Sequence, residues 1–576
     1  MKIKRKLILL FLFILVYPFL FIWQGGDLTD TGFHAIHYQS FFNNLLTYKV
    51  DGLPSDSLSF LTNLIGAIWI KIFPNAGILG LMILEAVFVM AITLVTYKSL
   101  NNYTNNKSIL LLGIFCGVAF SIRHTTLAFS YDISSFFFLL VMSFCILKYF
   151  QLYKYIYLFI SGMLLFLAFT SRFPNIIFLA LFPIILIYQF IHARQNKSFS
   201  FLIREFFIQC IVFYSGFIFL FGAFYMILKL NGIWHVYIGY FELIGSDTNP
   251  SYSINRLLKG YIKDFLEFSP HIIIVTLIIF PISRLFEYAK KHNNKFYFLV
   301  PLSLLFVLAF LIYGGFSIGN SSAYELKYFA PAFCTFPLLL SIIKKDRFST
   351  AVLIFSITGI TQVSGTNTGI FLKLSYGLVV LIPLSLIILY EYREFNFKKI
   401  KIITKPVYLT GILFILFFSI WSRVGFIYHV DAGLFARIRC TYPIKHKKMR
   451  GVYTSQKNAV HINRLTKSIE RNLKESNTLF IYGHQPMFYY LTEQIPPIEK
   501  FWLTDNAIQA DNLITVLEKS ILKKEKYPLI VDTKQNIMKS KGQEKLNEFL
   551  IKHDYYKIDD DKNFVIWQTD LNFHSR

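Results

Sequence analysis

The chain has 576 residues, of which 55% are hydrophobic, 18% are aromatic and only 16% are charged. A soluble domain carries about 25% charged residues, so the composition excludes an ordinary soluble protein and indicates an integral membrane protein. The net charge of +25 does not indicate nucleic-acid binding, because most of the basic residues lie in short loops between apolar segments.

The N-terminal apolar segment is the first predicted membrane span. Basic residues at positions 2, 4, 5 and 6 precede the run Leu7–Trp23. This run lacks a small-x-small cleavage site and is followed by further apolar segments, so it does not match a cleaved signal peptide. We interpret it as an uncleaved signal anchor whose N-terminus lies in the cytoplasm.

Further apolar runs approach the length of about 20 residues that a bilayer-spanning helix needs, which gives about thirteen predicted spans in total. After the first span, the predicted segments are 77–97, 108–122, 133–150, 155–171, 175–192, 205–228, 270–288, 296–314, 329–343, 349–362, 375–391 and 407–427.

The run Leu58–Phe73 is ambiguous, because counting it as a span inverts every later loop. If it lies flat on the outer surface, most Lys and Arg residues fall at cytoplasmic ends, as positive-inside sorting requires. The loop after Trp23 is then extracytoplasmic and holds two predicted interfacial helices, Thr31–Leu46 and Leu58–Phe73. Another amphipathic helix is predicted at Ile254–Phe268.

From about His429 the sequence has the composition of a soluble protein. Strands alternate with helices, which is typical of a small α/β domain. We therefore predict a membrane domain at 1–427 and an α/β domain at 428–576, and an odd number of spans makes the second domain extracytoplasmic. The predicted elements are a helix at Lys457–Glu475, a strand at Thr478–Tyr482, a helix at Met487–Thr492, a strand at Tyr527–Asp532, and a hairpin formed by Tyr555–Ile558 and Asn563–Gln568.

Two acids, Asp27 and Asp30, lie where the chain leaves the first span, among glycines that permit close approach of a substrate. A carboxylate at this position is a candidate general base that deprotonates an acceptor hydroxyl. The alternative is that the acids cap the next helix, with Asp30 as the N-cap. Asp30, His34 and His37 also have the i, i+4, i+7 spacing of a metal site, although interfacial histidines more often bind water or headgroups.

Several cations on the outer side are candidates for phosphate binding. Arg123 and Asp132 are predicted at the same membrane depth, where charge is costly unless it is paired or solvated; a snorkelling arginine beside a helix cap is the alternative. Arg172 lies on the outer side, against the sorting rule, and a guanidinium suits a lipid-linked phosphate. Lys71 and Lys327 are also predicted on the outer side, against positive-inside sorting, and are further candidates for phosphate binding.

The arrangement resembles the GT-C superfamily of polyprenyl-phosphate-sugar-dependent glycosyltransferases, near the protein O-mannosyltransferase and aminoarabinose transferase branch. Asp30-Thr-Gly-Phe-His34 resembles the acid of the first outer loop. Mannosyltransferases have Asp-Glu and His-Phe there, whereas this chain has Thr31 and Phe-His, so Asp27 remains a rival. Shorter similarities are Tyr131-Asp132 at the fourth span, Ser171-Arg172-Phe-Pro174 after the fifth, and Lys327-Tyr-Phe-Ala-Pro331 before a later span.

The resemblance implies an all-α polytopic GT-C-like domain with an extracytoplasmic α/β domain, in the plasma (inner) membrane. It implies inverting transfer of a hexose or pentose from a polyprenyl-phosphate donor to a lipid, glycan or protein. Asp30 would be the base, and Asp27 and Asp132 are further catalytic candidates. The donor phosphate would lie against Arg172, Arg123 or Lys71. No nucleic-acid partner is expected, and no cofactor is predicted apart from a hypothetical divalent metal. The alternatives are a transporter or flippase and a polysaccharide polymerase or ligase; the absence of repeated halves and the few ionisable residues within spans argue against a transporter.

Overall fold

A computed structural model describes residues 2–47, 57–123, 128–193, 199–235, 237–238, 254–292, 320–366, 370–392, 394–397, 400–432, 436–473, 478–497, 514–515, 517–519, 521–522, 527–534 and 541–570. The helices, strands and contacts of the fold belong to these residues.

Helices form most of the described chain up to residue 425. They are α1 (Lys2–Val16), α2 (Asp30–Thr47), α3 (Phe60–Ile72), α4 (Gly77–Leu100), α5 (Lys107–Ser121), α6 (Tyr131–Leu152), α7 (Ile156–Ser171), α8 (Phe178–Ala193), α9 (Phe199–Leu230), α10 (Ile254–Lys291), α11 (Asn320–Lys344), α12 (Ser349–Val363), α13 (Ile370–Glu391) and α14 (Thr404–Gly425). Short 3-10 turns lie at Tyr17–Phe19, Ser57–Ser59 and Phe173–Ile177. In the described part of the chain, six helical segments are long and apolar enough to cross a membrane. The protein is therefore a mostly helical membrane protein.

The predicted apolar segments overlap the observed helices, except 296–314, which lies outside the described residues. The predicted pieces Ile254–Phe268 and 270–288 form one continuous helix, α10, although Pro270 and Pro281 lie inside it. The first helix ends at Val16, earlier than predicted, where a 3-10 turn containing Pro18 begins. The number of spans, about thirteen, stays a prediction.

Strands lie mainly in the C-terminal part of the chain. Three two-stranded hairpins pair β1 (Glu394–Phe397) with β2 (Ile400–Ile403), β3 (Phe426–Ile427) with β4 (Asp431–Ala432), and β5 (Tyr442–Pro443) with β6 (Tyr453–Thr454). A four-stranded sheet contains β7 (Leu479–Tyr482), β8 (Leu529–Asp532), β9 (Tyr556–Asp560) and β10 (Val565–Gln568) in the order β7-β8-β10-β9. Strands β7 and β8 are parallel, and β10 is antiparallel to both of its neighbours.

The remaining helices accompany these strands. They are α15 (Ala436–Arg439), α16 (Gln456–Asn472), α17 (Met487–Leu491) and α18 (Lys541–Lys552). Helix α16 buries Ile462, Leu465 and Ile469 on one face, the spacing of an amphipathic helix. Each predicted C-terminal helix and strand overlaps an observed one, whereas the domain boundary near residue 428 stays a prediction.

The C-terminal region packs directly on the loop between α1 and α2. The backbone N–H of Tyr453 donates to Trp23 O at 2.7 Å, and its carbonyl accepts from Gly25 N at 2.9 Å. Met487 N donates to Leu28 O at 3.1 Å. These bonds satisfy backbone groups of the loop that would otherwise be costly to bury. They hold the loop that carries Asp27 against two segments of the C-terminal region, at Tyr453 and at Met487.

Gly32 is required for this packing. A Cβ at Gly32 would lie 2.2 Å from Met487 N, closer than atoms can approach. We expect Gly32→Ala to destabilise the protein by about 2 kcal/mol, the usual cost of overpacking a tight contact, and to expose the C-terminal region to protease. The measurement is thermal unfolding in detergent together with limited proteolysis.

Gly222→Ala is the matched control, because a Cβ at this helical glycine would have no neighbour within 4 Å. Alanine is a better helix former than glycine, so this variant should keep or slightly raise the Tm. Equal unfolding and equal protease sensitivity of the two variants would show that the Gly32 contact contributes nothing.

Candidate functional site

Asp27 organises the start of α2. Its side chain is fully buried. Oδ1 accepts hydrogen bonds from the backbone N–H of Thr29 at 3.1 Å and from its hydroxyl at 2.7 Å, and Oδ2 accepts from Thr31 N at 2.8 Å. The carboxylate thus satisfies an amide that the first helical turn leaves without a helix partner. The capping role considered for Asp30 belongs to Asp27.

Asp30 is instead the first residue of α2, and its side chain is only partly buried. Oδ2 accepts a hydrogen bond from the hydroxyl of Tyr428 at 2.8 Å. Phe33 N donates to Thr29 O at 2.9 Å, which makes Thr29 the residue before the first turn. A partly exposed carboxylate held by one side chain remains accessible to a substrate.

His34 interacts electrostatically with two of the acids predicted for the site, Asp30 and Asp132. It is buried, and its ring meets the edge of Tyr131 with centroids 5.4 Å apart. Burial lowers the pKa of His34 to about 4, an effect that Asp30 and Asp132 oppose and Lys373 reinforces. The imidazole is therefore neutral at pH 7, and both carboxylates lie close enough to interact with it.

The proposed metal ligands do not form a cluster. His37 is buried and its ring lies 4.4 Å from that of Phe33. Among the described residues, no group of three His, Cys, Asp or Glu side chains is arranged to hold a metal ion. Asp132, the other acid of the site, already faces two cations.

Asp132 forms the centre of a buried ion cluster. It lies in the first turn of α6, where the helix dipole favours a carboxylate. Oδ1 is 3.6 Å from Nε of Arg172, and Oδ2 forms a very short ion pair with Nζ of Lys373. The ammonium also lies 5.6 Å from the ring centroid of Tyr131. One carboxylate thus faces two cations, which leaves the cluster with a net positive charge.

Local sequence explains how Arg172 reaches this position. Helix α7 ends at Ser171, and a 3-10 helix, Phe173–Ile177, begins after Arg172 with Pro174 in its first turn, where a proline is tolerated. Arg172 adopts an extended backbone, and its Nη1 donates to Gln362 O at 2.9 Å. The side-chain amide of Gln362 donates to Asp132 O at 3.1 Å. The end of α12 therefore fixes both partners of the pair.

The other predicted phosphate-binding residues have aromatic neighbours. Arg123 is fully buried, lies 3.7 Å from the ring centroid of Phe120, and donates from Nη1 to Phe120 O at 2.7 Å. Lys71 is exposed beside Phe42, and Lys327 lies over the ring of Tyr328. Arg172 is the predicted cation that the described contacts join to Asp132.

Sequence reasoning missed Lys373, Gln362 and Tyr428. A signal for Lys373 existed, because it falls in a predicted outer loop, against positive-inside sorting, as Arg172 does. Gln362 and Tyr428 carried no comparable signal, since a polar residue near the end of a span is common at an interface.

Glu85 is another buried acid of the membrane domain. It interacts electrostatically with Arg423 and Asp132. Arg423 donates to Ile122 O at 2.6 Å and to Leu20 O at 2.7 Å, which ties the end of α14 to the end of α5 and to the 3-10 turn after α1. Charge inside a membrane domain is costly unless it is paired, so this network helps to fix the helix ends around the site.

Two sequence comparisons find no match: no protein family and no curated protein is similar to the chain at a significant level. Comparison with solved structures finds the oligosaccharyltransferase of Archaeoglobus fulgidus, in a crystal structure with Zn and sulfate. It has a TM-score of 0.46 and 13% identity, and the alignment covers 92% of this chain and 67% of that one.

The A. fulgidus oligosaccharyltransferase is also found in a structure tethered with an acceptor peptide containing the NVT sequon, with a TM-score of 0.46, 12% identity, and 92% and 69% coverage. At these values of identity and TM-score, no residue role, substrate or partner is transferred from either structure to this chain.

Proposed function

We propose that the protein is a membrane glycosyltransferase that transfers a sugar from a polyprenyl-phosphate donor to an acceptor at the extracytoplasmic face. The observation that carries the proposal is that His34 interacts electrostatically with Asp30, Asp132 and Lys373, while Asp132 also pairs with Arg172. A partly exposed carboxylate beside a net positive cluster provides both a base and an anion site.

The negative carboxylate of Asp30 and the positive cluster around Asp132 suggest the following reaction. Asp30 accepts the proton of an acceptor hydroxyl, whose oxygen attacks the anomeric carbon of the sugar. The bond between the anomeric carbon and the phosphate oxygen breaks, and the polyprenyl phosphate leaves with the electron pair. A single displacement inverts the anomeric configuration.

Asp30 is the preferred base because of what each acid already binds. Asp27 is fully buried and accepts hydrogen bonds on both oxygens, from Thr29 of its own loop and from Thr31 in the first turn of α2. Asp30 is partly exposed and is held by Tyr428 on one oxygen. A base must reach the proton that it removes, which favours the accessible carboxylate.

Arg172 and Lys373 are the preferred groups for the donor phosphate. Both are cations in a poorly solvated position, where an anion gains most from a charge-assisted hydrogen bond. Asp132 keeps them paired and oriented before the donor arrives, and the phosphate then shares them. Arg123, Lys71 and Lys327 stay candidates for contacts farther along the donor.

The mechanism has no step at a metal ion. Asp132 faces an arginine and a lysine, a surrounding that suits an anion and disfavours a divalent cation. The two cations stabilise the leaving phosphate by charge, which is the role that a metal would otherwise have.

We further propose that the site faces the extracytoplasmic side of the plasma membrane. The hydrogen bonds of Tyr453 and Met487 to the acid loop support this, because they require residues after 428 and the loop after α1 to lie on the same side. With the N-terminus cytoplasmic, that side is the outer one. This reading agrees with a membrane domain at 1–427 and an extracytoplasmic α/β domain at 428–576.

The test is a transfer assay. The full-length protein is purified in detergent and incubated with a panel of radiolabelled undecaprenyl-phosphate hexoses and pentoses and a cell-envelope extract. We expect label from one donor to move into acceptor material in a form that survives mild acid, which cleaves the donor. Donor movement across the bilayer of proteoliposomes without transfer would instead support a flippase and contradict the proposal.

A further inference from the structure

A short hairpin after α14 contacts both acids of the first outer loop. Strands β3 and β4 enclose the turn 428–430, in which Val430 N donates to Ile427 O at 3.0 Å. His429 has a positive φ of 53°, the left-handed conformation that commonly closes a three-residue hairpin loop. The turn presents Tyr428 and His429 with their rings stacked, at a centroid separation of 4.1 Å.

Tyr428 and His429 each contact a different acid of the first outer loop. The Tyr428 hydroxyl donates to Oδ2 of Asp30 at 2.8 Å. Nδ1 of His429 lies 3.2 Å from the Thr29 hydroxyl and 4.0 Å from Oδ1 of Asp27. Thr29 in turn donates to Asp27. Tyr428 therefore binds the accessible acid, Asp30, whereas His429 lies beside Asp27, the acid that organises the loop.

The hairpin is anchored at its base. Nε of Arg437 donates to Arg423 O at 2.8 Å, and Nε2 of Gln24 donates to Arg437 O at 2.9 Å. On the far side, Arg439 makes two hydrogen bonds to the carboxylate of Asp431, at 2.8 and 2.9 Å. Bonds at both ends of the turn fix its position relative to the loop that carries Asp30.

We infer that Tyr428 is a positioning residue, which holds the Asp30 carboxylate in one orientation and leaves Oδ1 to accept the proton of the acceptor. The inference rests on the proposed function. A hydroxyl that donates to a carboxylate favours its charged form and restricts its rotation. The C-terminal region thus supplies the tyrosine that orients the Asp30 carboxylate.

Other titratable groups of the site are left in place by Tyr428→Phe. These groups are His34 on α2, Asp27 in the loop, Glu85 on α4, Asp132 on α6, Lys373 and Tyr376 on α13, and His429 beside Tyr428 in the hairpin.

The first test measures the pH profile of Tyr428→Phe with the radiolabelled undecaprenyl-phosphate sugar that the wild type uses. We expect kcat to fall about tenfold, the typical effect of losing a hydrogen bond to a charged group, with an unchanged KM for the donor. The acid limb of the profile should move to higher pH, since the carboxylate loses a bond that favours its charged form. A lower kcat with an unmoved acid limb overturns the positioning role.

Tyr442→Phe is the control, because Tyr442 is an exposed tyrosine in β5 of the same region. It should leave kcat, KM and the acid limb as in the wild type. A shift of similar size in this variant would mean that the profile responds to any change in the C-terminal region, which overturns the assignment to Tyr428.

The second test does not depend on transfer. The effects of Tyr428→Phe and Asp30→Ala, each of which removes the hydrogen bond between the two side chains, on unfolding in detergent are compared with the effect of the double variant. Groups in contact give non-additive effects, whereas independent groups add. Additivity overturns the inference. Non-additivity together with full transfer by Asp30→Asn leaves the contact intact but removes Asp30 as the base, so the two failures are distinguishable.

Discussion

Asp30→Asn is expected to lower sugar transfer about a thousandfold, in the range reported for the loss of a general base. The amide has the size of the carboxylate and can still accept the hydrogen bond from Tyr428 that fixes Oδ2 in the wild type. It cannot accept the proton of the acceptor hydroxyl. Expression and Tm should therefore change little while kcat falls, and the measurement is label transfer at saturating donor.

Asp27→Asn is the comparison that decides between the two acids. Asp27 is fully buried and accepts bonds from Thr29 and Thr31, so its replacement should destabilise the loop by about 1 kcal/mol, as for the loss of a helix cap, and lower transfer only through that instability. If Asp27→Asn abolished transfer at an unchanged Tm while Asp30→Asn remained active, Asp27 would be the base.

The helices and strands of this protein could be predicted because each follows from a local pattern. A span requires a long apolar run, and a strand of the small sheet requires a short buried run, as in Leu479–Tyr482. Where two elements join is harder to predict, because it depends on more than the local pattern. The joining of Ile254–Phe268 to the next span depends on whether a helix continues past Pro270, which neighbouring helices influence.

The site could be predicted only in part, because its contacts join residues that are distant in sequence. Asp132 and Lys373 are 241 positions apart, and Asp30 and Tyr428 are 398 apart. Local patterns identified Asp30, Asp132 and Arg172 as charges in unusual places. They could not identify the partners, because partnership depends on how the helices pack. The alternative interpretation placed Asp30 at the N-cap, whereas Asp27, three residues earlier, binds the amides.

Asp132→Ala is expected to destabilise the protein by about 3 kcal/mol, because it leaves two cations in a poorly solvated place without their counterion. Arg172 and Lys373 have side-chain exposures of only 7% and 18%. Repulsion between them adds to the desolvation cost. The measurement is unfolding in detergent followed by tryptophan fluorescence, with label transfer measured on the protein that remains folded.

Two further variants separate the ion cluster from a general effect of removing an acid. Asp560 also pairs with two lysines, Lys534 at 2.7 Å and Lys557 at 3.2 Å, but at the surface. Asp560→Ala should leave the Tm nearly unchanged, since exposed ion pairs contribute little. The double variant Asp132→Ala, Lys373→Met should recover part of the lost stability, because it removes one unpaired cation. If the double variant is less stable than Asp132→Ala alone, the cost does not come from unpaired charge, and the cluster is not the preorganised anion site that the proposed reaction requires.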